Sequence, residues 1–392
     1  MRWDRITRYS SLLAENVAEY TVDSSGMRMV LLRPRGIVHS GNELFDIELF
    51  DLSTKQITPL IQDTARLYHL TLSPDGEKIA AQRRADGGKV VSFSIINAAA
   101  STLVESGDCT AISDTDCTGF VWSPDSRKFL WIDSRGIWMG QPGREIPTQI
   151  HHNQVEIIDP AGQASQFKAR YSTLQWSPLG RFVLTTVMPE FSSVRWQAVL
   201  DSRSGRLQQL LDTYEIRSNQ VSVAWLKDGT LAVAHANDGS SGSPPTIQVF
   251  GVYPTNSDLL VKLREYQLFP NPIENAQDAF AKYSSDEEQL CLNWLYQQQE
   301  GHLRFGVVLA SSFNRSTLYD LKLFDGALNP LVQLDPDTQQ ILWAPDGSGM
   351  LLIDANGQVI YSTIDGLEFY DLSQQLGESP SSFTWLPPTY RQ

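Results

Sequence analysis

Cysteine, histidine and basic residues are scarce in this sequence. Its 392 residues include three cysteines, six histidines and 31 Lys or Arg against 45 Asp or Glu, for a formal charge of −14. Three cysteines exclude a small domain held together by disulfides, and a chain with 41% hydrophobic side chains can bury a large core. The negative charge repels phosphate backbones and no run of Lys and Arg offsets it, so we expect no nucleic-acid partner.

Long apolar runs are also absent. No stretch approaches about eighteen consecutive apolar residues, the length that suggests a membrane-spanning helix, so we expect no transmembrane segment. The opening residues Met1–Arg5 lack the apolar core of a secretory signal. They predict either a cytoplasmic protein or an exported one whose leader has been removed.

The three cysteines fall into two settings. Cys109 and Cys117 lie close together in a polar segment, where two hypotheses stand: a local disulfide, which would favour an exported protein, or two free thiols. Cys291 lies between Leu290 and Leu292, and this apolar setting predicts a small buried core residue.

A short turn motif recurs along the chain. It begins with a large apolar residue, continues as a four-residue turn and precedes a β-rich run, most clearly in Trp122-Ser-Pro-Asp-Ser and Trp343-Ala-Pro-Asp-Gly. The motif residues of the five best copies are Leu72, Pro74, Asp75, Gly76, Trp122, Pro124, Asp125, Trp176, Pro178, Trp225, Asp228, Gly229, Trp343, Pro345, Asp346 and Gly347. With weaker copies at Val22 and Tyr283, seven copies are spaced by 50, 50, 54, 49, 58 and 60 residues. Such regular spacing indicates an internal repeat.

The chemistry of this turn motif predicts a β-hairpin. Proline presets the backbone for the first central turn position, Asp hydrogen-bonds to nearby main chain, and Gly tolerates a positive φ. A second landmark, in most repeats an Asp or Asn at a strand end, follows at Asp51, Asn97, Asp159, Asp201, Pro254, Asp325 and Asp365. Two hairpins in each repeat predict four antiparallel strands.

Radial repetition of four-stranded antiparallel units is the architecture of a β-propeller. We therefore predict an all-β fold, a seven-bladed β-propeller of four-stranded antiparallel blades, in a single domain over residues 1–392. The repeats are predicted to start near residues 18, 68, 118, 172, 221, 279 and 339. Residues 380–392 are predicted to supply a strand that closes the ring. The alternative is an eight-bladed ring, with a composite blade shared with residues 1–17, because Trp385 resembles the start of another repeat.

The repeat resembles that of the TolB-like propellers, a WD-like repeat with a Trp-Ser-Pro-Asp-Gly signature, from about Val22 to the C-terminus. This resemblance implies the propeller fold and says little about activity. TolB proteins also carry an N-terminal α/β domain, whereas the repeats begin here by about residue 18. The resemblance therefore does not imply a role in the Tol system.

Patterns for catalysis or metal binding are weak. Residues 239–243 lack the last glycine of Gly-x-Ser-x-Gly and are interpreted as a loop. His151 and His152 are adjacent, so in a strand they point to opposite faces, and we interpret them as surface histidines. Asp114-Thr115-Asp116 lacks the full calcium-loop pattern and is interpreted as a solvated loop. We predict no catalytic, cofactor-binding or metal-binding residues and no cofactor.

Four segments are longer than a simple blade needs: residues 107–117, 237–245, 270–278 and 297–316. We assign all four to connections that share one face of the propeller, and binding loops on a rigid scaffold commonly occur in such insertions. We expect a protein partner on this face. The alternative is that these loops are tolerated surface insertions without a partner.

The main functional hypothesis is a non-catalytic propeller that acts as a protein–protein interaction scaffold. The TolB-like resemblance favours a bacterial envelope-associated assembly, and thus a periplasmic or envelope location over a cytoplasmic one. The alternative is a carbohydrate-active enzyme, a lyase or hydrolase, with its site at the mouth of the propeller channel.

Overall fold

The fold is described from a computed structural model of the chain. The structure describes residues 2–4, 9–11, 13–37, 43–65, 67–84, 90–97, 102–108, 118–144, 147–158, 164–190, 195–210, 221–235, 246–256, 258–268, 290–296, 301–309, 316–335, 338–344, 348–364, 366–373 and 385. The chain divides into two compact units, residues 1–209 with 386–392 and residues 210–385.

The described residues of the first unit form a two-stranded ribbon and four larger sheets. The ribbon pairs β1 (Arg2–Asp4) with β2 (Tyr9–Ser11). Sheet one is β3 (Glu19–Val22), β4 (Arg28–Ile37), β5 (Glu43–Asp51) and β6 (Gln56–Ala65); sheet two is β7 (Leu67–Leu72), β8 (Lys78–Arg84), β9 (Val90–Asn97) and β10 (Thr102–Asp108). Sheet three is β11 (Thr118–Trp122), β12 (Phe129–Asp133), β13 (Gly136–Gly140) and β14 (Thr148–His152); sheet four is β15 (Gln154–Ile158), β16 (Ala164–Trp176), β17 (Phe182–Pro189), β18 (Trp196–Asp201) and β19 (Leu207–Gln209).

The second unit contains three sheets of four strands in its described residues. Sheet five is β20 (Val221–Trp225), β21 (Leu231–His235), β22 (Thr246–Val252) and β23 (Leu260–Gln267); sheet six is β24 (Leu290–Tyr296), β25 (His302–Leu309), β26 (Ser316–Lys322) and β27 (Leu328–Leu334); sheet seven is β28 (Thr338–Trp343), β29 (Gly349–Asp354), β30 (Val359–Thr363) and β31 (Phe369–Asp371).

These sheets confirm the predicted fold class, an all-β propeller of four-stranded antiparallel sheets. Each large sheet is a simple meander in which consecutive strands pair, and every strand pair in the described part of the chain is antiparallel. We label the four meander strands of each sheet a to d; in sheet four, strand a is β16. No helix among the described residues could span a membrane. The number of blades remains a prediction.

The apolar core lies between successive sheets. All five residues of β12, Phe129–Asp133, are buried, because this strand has a neighbouring sheet on each face. One cluster joins Val30 of sheet one to Ile79 of sheet two, and another joins Ile247 of sheet five to Phe305 of sheet six. A single sheet could bury neither face, so stacking of sheets supplies the burial that stabilises each of them.

Sheet six departs from the predicted repeat. Its first strand ends at Tyr296, so its a–b hairpin follows Tyr296 and not Tyr283, whose motif lies outside the described residues. The connection after Tyr296 has neither the Pro nor the Asp of the motif. Gly301, with a φ of +79°, is the one motif-like feature near its end. The repeat was placed too early because the true hairpin lacks these signals.

The predicted insertion 297–316 is also wrong in its central part. His302–Leu309 is the second strand of sheet six, and its residues 302–308 pair with β26. Leu303 and Phe305 are fully buried while His302 and Arg304 are half-buried, which is the alternation expected of a strand. The error in the repeat start caused this one, because it placed strands a and b before residue 297.

The second landmark holds in some repeats and fails in one. Asp51, Asn97 and Asp201 end the third strand of their sheets, and Asp325 lies in the c–d hairpin of sheet six. In sheet three the third strand already ends at Gly140, so Asp159 was the wrong landmark. Sheet four carries one additional strand, β15, which pairs with the first half of β16.

Candidate functional site

The turn motif is used inside its own hairpin. In sheet three the buried hydroxyl of Ser123 donates to Oδ1 of Asp125 at 2.6 Å and accepts from the main-chain N of Lys128 at 2.9 Å. In sheet two, Ser73 donates to Asp75 in the same way at 2.6 Å. Because the motif carboxylates are held by these local bonds, the motif stabilises a turn and offers no reactive group.

The motif tryptophans connect neighbouring sheets. The indole Nε1 of Trp122 donates to the main-chain oxygen of Thr71, in strand a of the preceding sheet, at 3.2 Å. The indole Nε1 of Trp176 likewise donates to the main-chain oxygen of Val121, in the preceding sheet, at 3.5 Å. The tryptophans at the start of four motifs are all buried: Trp122, Trp176, Trp225 and Trp343. Their large side chains therefore belong to the packing between sheets.

The other motif residues that the sequence singles out lie in or beside these hairpins. Leu72 is buried at the end of β7, and the turn residues are Pro74, Asp75, Gly76, Pro124, Asp125, Pro178, Asp228 and Gly229. Pro345, Asp346, Gly347, Cys109, Cys117 and the segments 237–245 and 270–278 lie outside the described residues. Cys291 lies in β24. The disulfide hypothesis and the long-loop partner face therefore remain untested, and the alternative of two free thiols stays open.

His151 is not the surface histidine that was expected. Its Nδ1 hydrogen-bonds to the main-chain oxygen of Gly205 at 2.9 Å, and its ring lies edge-on to Tyr171. Burial lowers the pKa of this imidazole, so it is neutral near neutral pH and Nδ1 carries the proton that Gly205 accepts. His152 is exposed, because adjacent strand residues point to opposite faces.

Asp133 is a buried carboxylate at the b–c hairpin of sheet three. It accepts hydrogen bonds from the main chain and guanidinium of Arg135 and, at 2.9 Å, from the indole of Trp138. The Arg135 guanidinium also lies 4.4 Å from the centre of the Trp138 ring. All these groups satisfy one another, which is the arrangement of a structural charge.

His302 and Asp320 form a hydrogen-bonded pair within sheet six. Nδ1 of His302 lies 2.9 Å from Oδ2 of Asp320, and Nε of Arg304 lies 3.8 Å from the other carboxylate oxygen. The Arg304 guanidinium reaches over the ring of Trp343 in sheet seven, 5.7 Å from its centre. Asp320 orients the imidazole of His302, and the contact of Arg304 with Trp343 joins sheet six to sheet seven.

Large apolar side chains are exposed on three consecutive c–d hairpins of the second unit. Phe324 of sheet six is 90% exposed and Leu367 of sheet seven is 81% exposed. Tyr253 of sheet five and Phe369 of sheet seven are exposed as well. We call these four side chains the hairpin surface. Single exposed apolar residues are common, but their recurrence at the c–d hairpins of three successive sheets makes these positions candidates for partner binding.

Close contacts join two of these hairpins, those of sheets six and seven, to the preceding sheet. The main-chain oxygen of Leu323 accepts hydrogen bonds from Arg264, at 2.9 Å, and from the hydroxyl of Tyr266, both on β23 of sheet five. A Cβ added at Gly366, whose φ is +66°, would lie 2.7 Å from Val332 on β27. The turns that carry Phe324 and Leu367 therefore each contact the preceding sheet.

The described residues of these three hairpins are acidic. They include Asp258, Asp325 and Glu368 and no Lys or Arg. Exposed cations border the same hairpins: Lys322 precedes the hairpin of sheet six, Arg264 donates to Leu323, and Lys262 lies near the start of β23. The exposed apolar side chains are therefore surrounded by charges of both signs.

Sequence reasoning missed the hairpin surface. Phe324 and Leu367 each stand beside an Asp-Gly pair, in Leu323-Phe324-Asp325-Gly326 and Asp365-Gly366-Leu367. A bulky apolar residue within a turn signal has no core to enter, and this pattern could have identified both positions. The search for long insertions directed attention to the opposite end of the sheets.

Several solved structures resemble this chain in fold. The similarity to dipeptidyl peptidase 4 of Porphyromonas gingivalis has a TM-score of 0.54 at 11% identity and covers 91% of this chain and 52% of that one. The similarity to a prolyl endopeptidase has a TM-score of 0.53 at 13% identity and covers 91% of this chain and 49% of that one. The similarity to a eukaryotic initiation factor has a TM-score of 0.51 at 11% identity and covers 93% of this chain and 78% of that one. This chain thus spans about half the length of the two peptidases. Similarity at such low identity shows the fold alone.

No protein-family model and no curated protein sequence matches the chain.

Proposed function

We propose that this chain is a TolB-like propeller of seven blades that acts as a non-catalytic scaffold for protein partners, within a bacterial envelope assembly. The observation that carries the proposal is the hairpin surface, formed by Tyr253, Phe324, Leu367 and Phe369. Leaving these side chains in water lowers solubility and gains nothing for the fold, whereas a partner that covers them removes apolar surface from water.

The held hairpins support this proposal. Affinity is higher when a surface needs no ordering on binding, and the bonds to Leu323 keep the Phe324 hairpin in place before a partner arrives. Aromatic side chains also dominate the energy of protein interfaces. The surface therefore has both the composition and the rigidity of a binding site.

Site-specific photocrosslinking tests the proposal. A photoreactive phenylalanine analogue is placed at position 324, at position 367 or, as a control, at position 179, where Leu179 is 75% exposed on the a–b hairpin of sheet four. We expect one identified protein to be crosslinked from positions 324 and 367 and not from position 179. The purified partner should then bind Phe324→Ser/Leu367→Ser at least about tenfold more weakly than the wild type.

A second set of variants separates the two ends of the sheets. Shortening residues 109–117, 237–245 and 270–278 tests the partner face predicted from loop length. If these variants lose the partner while Phe324→Ser/Leu367→Ser keeps it, the long-loop face is the binding site and the hairpin surface is not. If neither set of variants affects any binding, the scaffold proposal fails.

A further inference from the structure

We infer that His151 makes the contact between sheets three and four a pH-sensitive joint, which opens when the imidazole takes up a proton. The joint lies within the first unit, between β14 and the c–d hairpin of sheet four, residues 201–206. It goes beyond the proposed scaffold role and does not depend on it. Three observations carry it: the packing of this hairpin on β14, the surroundings of the imidazole, and the charges on the neighbouring elements.

The c–d hairpin of sheet four packs closely on β14. A Cβ added at Gly205, whose φ is +73°, would lie 2.5 Å from the main-chain oxygen of Ile150. His151, the next residue of β14, donates from Nδ1 to the main-chain oxygen of Gly205 at 2.9 Å. Main-chain bonds from Gly205 to Asp201 and from Asp201 to Arg206 close the hairpin on itself. The bond from His151 therefore joins β14 to a turn that holds its own shape.

The second ring nitrogen of His151 lies where a proton would have no acceptor. Nε2 is shielded from water, and no described residue forms a hydrogen bond with it. The ring of Tyr171 lies edge-on at 5.8 Å between ring centres, and its hydroxyl donates to the main-chain oxygen of His152. A neutral imidazole fits this site, with Nδ1 as the donor. A protonated imidazole would bury a charge and an unpaired N–H, which is unfavourable unless the joint opens to water.

The charged groups around the joint do not offset this cost. The titratable side chains on the surrounding elements are Asp133 and Arg135 of the b–c hairpin of sheet three, His152 of β14, Glu156 of β15, Lys168, Arg170 and Tyr171 of β16, and Asp201, Arg203 and Arg206 of the c–d hairpin; β13 has none. The buried carboxylate of Asp133 is bonded to Arg135. That of Asp201 is bonded to Arg181, and Glu156 is exposed. Both buried carboxylates are therefore paired elsewhere, and the other charges of the c–d hairpin are positive.

The direction of the pH response follows from the two states of the joint. In the closed joint, burial lowers the pKa of His151, and the main chain of Gly205 and of Gln154 reduces this shift without cancelling it. In the open joint the imidazole lies in water and has its usual pKa of 6.5. The open form therefore takes up the proton first, and its fraction rises as the pH falls below that value. At neutral pH the joint is closed.

Hydrogen–deuterium exchange of the full chain tests the inference. Exchange is measured by mass spectrometry at pH 7.5 and pH 5.5 and corrected for the intrinsic pH dependence of amide exchange. The segments compared are 148–152 and 201–206, on the two sides of the joint, and the buried strand Phe129–Asp133 of the same sheet as β14. We expect the corrected rate at the joint to rise about tenfold at pH 5.5, because only the open form gains the proton. The joint should exchange faster than Phe129–Asp133 at both pH values, since its opening is local.

Two variants separate the imidazole from other effects of acid. His151→Asn places an amide N–H near the position of Nδ1 and does not titrate, so the bond to Gly205 is kept and the pH response of the joint should be lost. His152→Gln removes the exposed neighbour and should respond as the wild type does. An equal response in His151→Asn, an unchanged corrected rate in the wild type, or a common rate for the joint and Phe129–Asp133 would each overturn the inference.

A titration of the wild type gives a second measurement that needs no variant. The ¹⁵N chemical shifts of the His151 ring report its protonation directly, and we expect them to change over the same pH range in which exchange at the joint rises. An imidazole that stays neutral while the joint opens would exclude it as the cause.

Discussion

The indole Nε1 of Trp385 donates a hydrogen bond to the main-chain oxygen of Leu342 at 3.1 Å. Leu342 directly precedes the motif residue Trp343, just as Thr71 precedes Leu72, and Trp122 donates to Thr71 at 3.2 Å. Trp385 thus contacts strand a of sheet seven in the way that Trp122 contacts strand a of sheet two. This contact is the one expected of a first motif residue, and it supports the prediction that residues 380–392 take part in ring closure.

Replacing Trp385 should destabilise the second unit. Trp385→Ala removes the bond to Leu342 and the edge-on contact with Tyr361, at 6.3 Å between ring centres, for a loss of about 2–3 kcal/mol. Trp385→Phe keeps a ring and loses the donor, so we expect a loss of about 1 kcal/mol. Calorimetric unfolding measures both. Equal stability of Trp385→Ala and the wild type would show that the segment adds nothing to the fold.

Removing a motif hydroxyl should cost more than its size suggests. Ser123→Ala deletes the donor to Asp125 and the acceptor for the main-chain N of Lys128, inside a buried turn, and we expect a loss of about 1–2 kcal/mol in the free energy of unfolding. Ser165→Ala, at an exposed position in β16, is the control and should be neutral. Urea unfolding of both variants checks this, and similar losses in both would contradict the structural role of the motif serine.

The motif carboxylates should make the fold sensitive to acid. Burial raises the pKa of Asp125, but hydrogen bonds from Ser123 and Arg127 have the larger combined effect, so the pKa lies below its usual value of 3.8. The pKa of Asp75 is also lowered, because hydrogen bonds outweigh the effect of burial there too. The stability they contribute is present above that value and is lost as the pH falls through their lower folded pKa values. Asp75→Asn/Asp125→Asn should therefore lose less stability than the wild type between pH 5 and pH 2 in urea unfolding. An unchanged pH slope in the double variant would exclude this contribution.

His151 should add a second pH dependence in a higher range. Burial lowers its pKa below the usual 6.5, although the hydrogen bond to Gly205 acts in the opposite direction. The unfolded chain therefore takes up the proton first, and the stability that the neutral imidazole contributes is lost as the pH falls from about 6.5 toward the folded pKa. His151→Gln should flatten the thermal unfolding midpoint between pH 7 and pH 5. If the unfolding midpoint of the wild type does not fall between pH 7 and pH 5, the imidazole is not buried in solution.

The hairpin surface should be dispensable for folding. Phe324→Ser changes an almost fully exposed side chain, so the unfolding free energy should stay within about 0.5 kcal/mol of the wild type. Phe305→Ala, at a fully buried position in sheet six, should lose about 3–5 kcal/mol. The same urea titration serves both variants. A large loss in Phe324→Ser would mean that this ring packs within the fold and displays no binding surface.

The sequence by itself determined the fold class, because its signals are local. Ser123 and Asp125 bond within one hairpin, and Asp51 bonds to the main chain of Ser53 and Thr54 two and three residues later, so their chemistry is legible without any long-range contact. Repetition of such turns at nearly constant spacing then implies stacked antiparallel units. The motif at Trp122 and the landmark at Asp201 were found in this way.

Only the tertiary structure decided the features that depend on neighbouring sheets. The a–b hairpin after Tyr296 has no proline or aspartate to mark it, and pairing of β24 with β25 is what defines it. His151 is half-buried because Gly205 and Tyr171 lie against it, and both come from the next sheet. Phe324 is exposed because its hairpin is bonded to sheet five through Leu323 and not through its own ring. Burial is a property of the packed sheets, and residues distant in the chain set it.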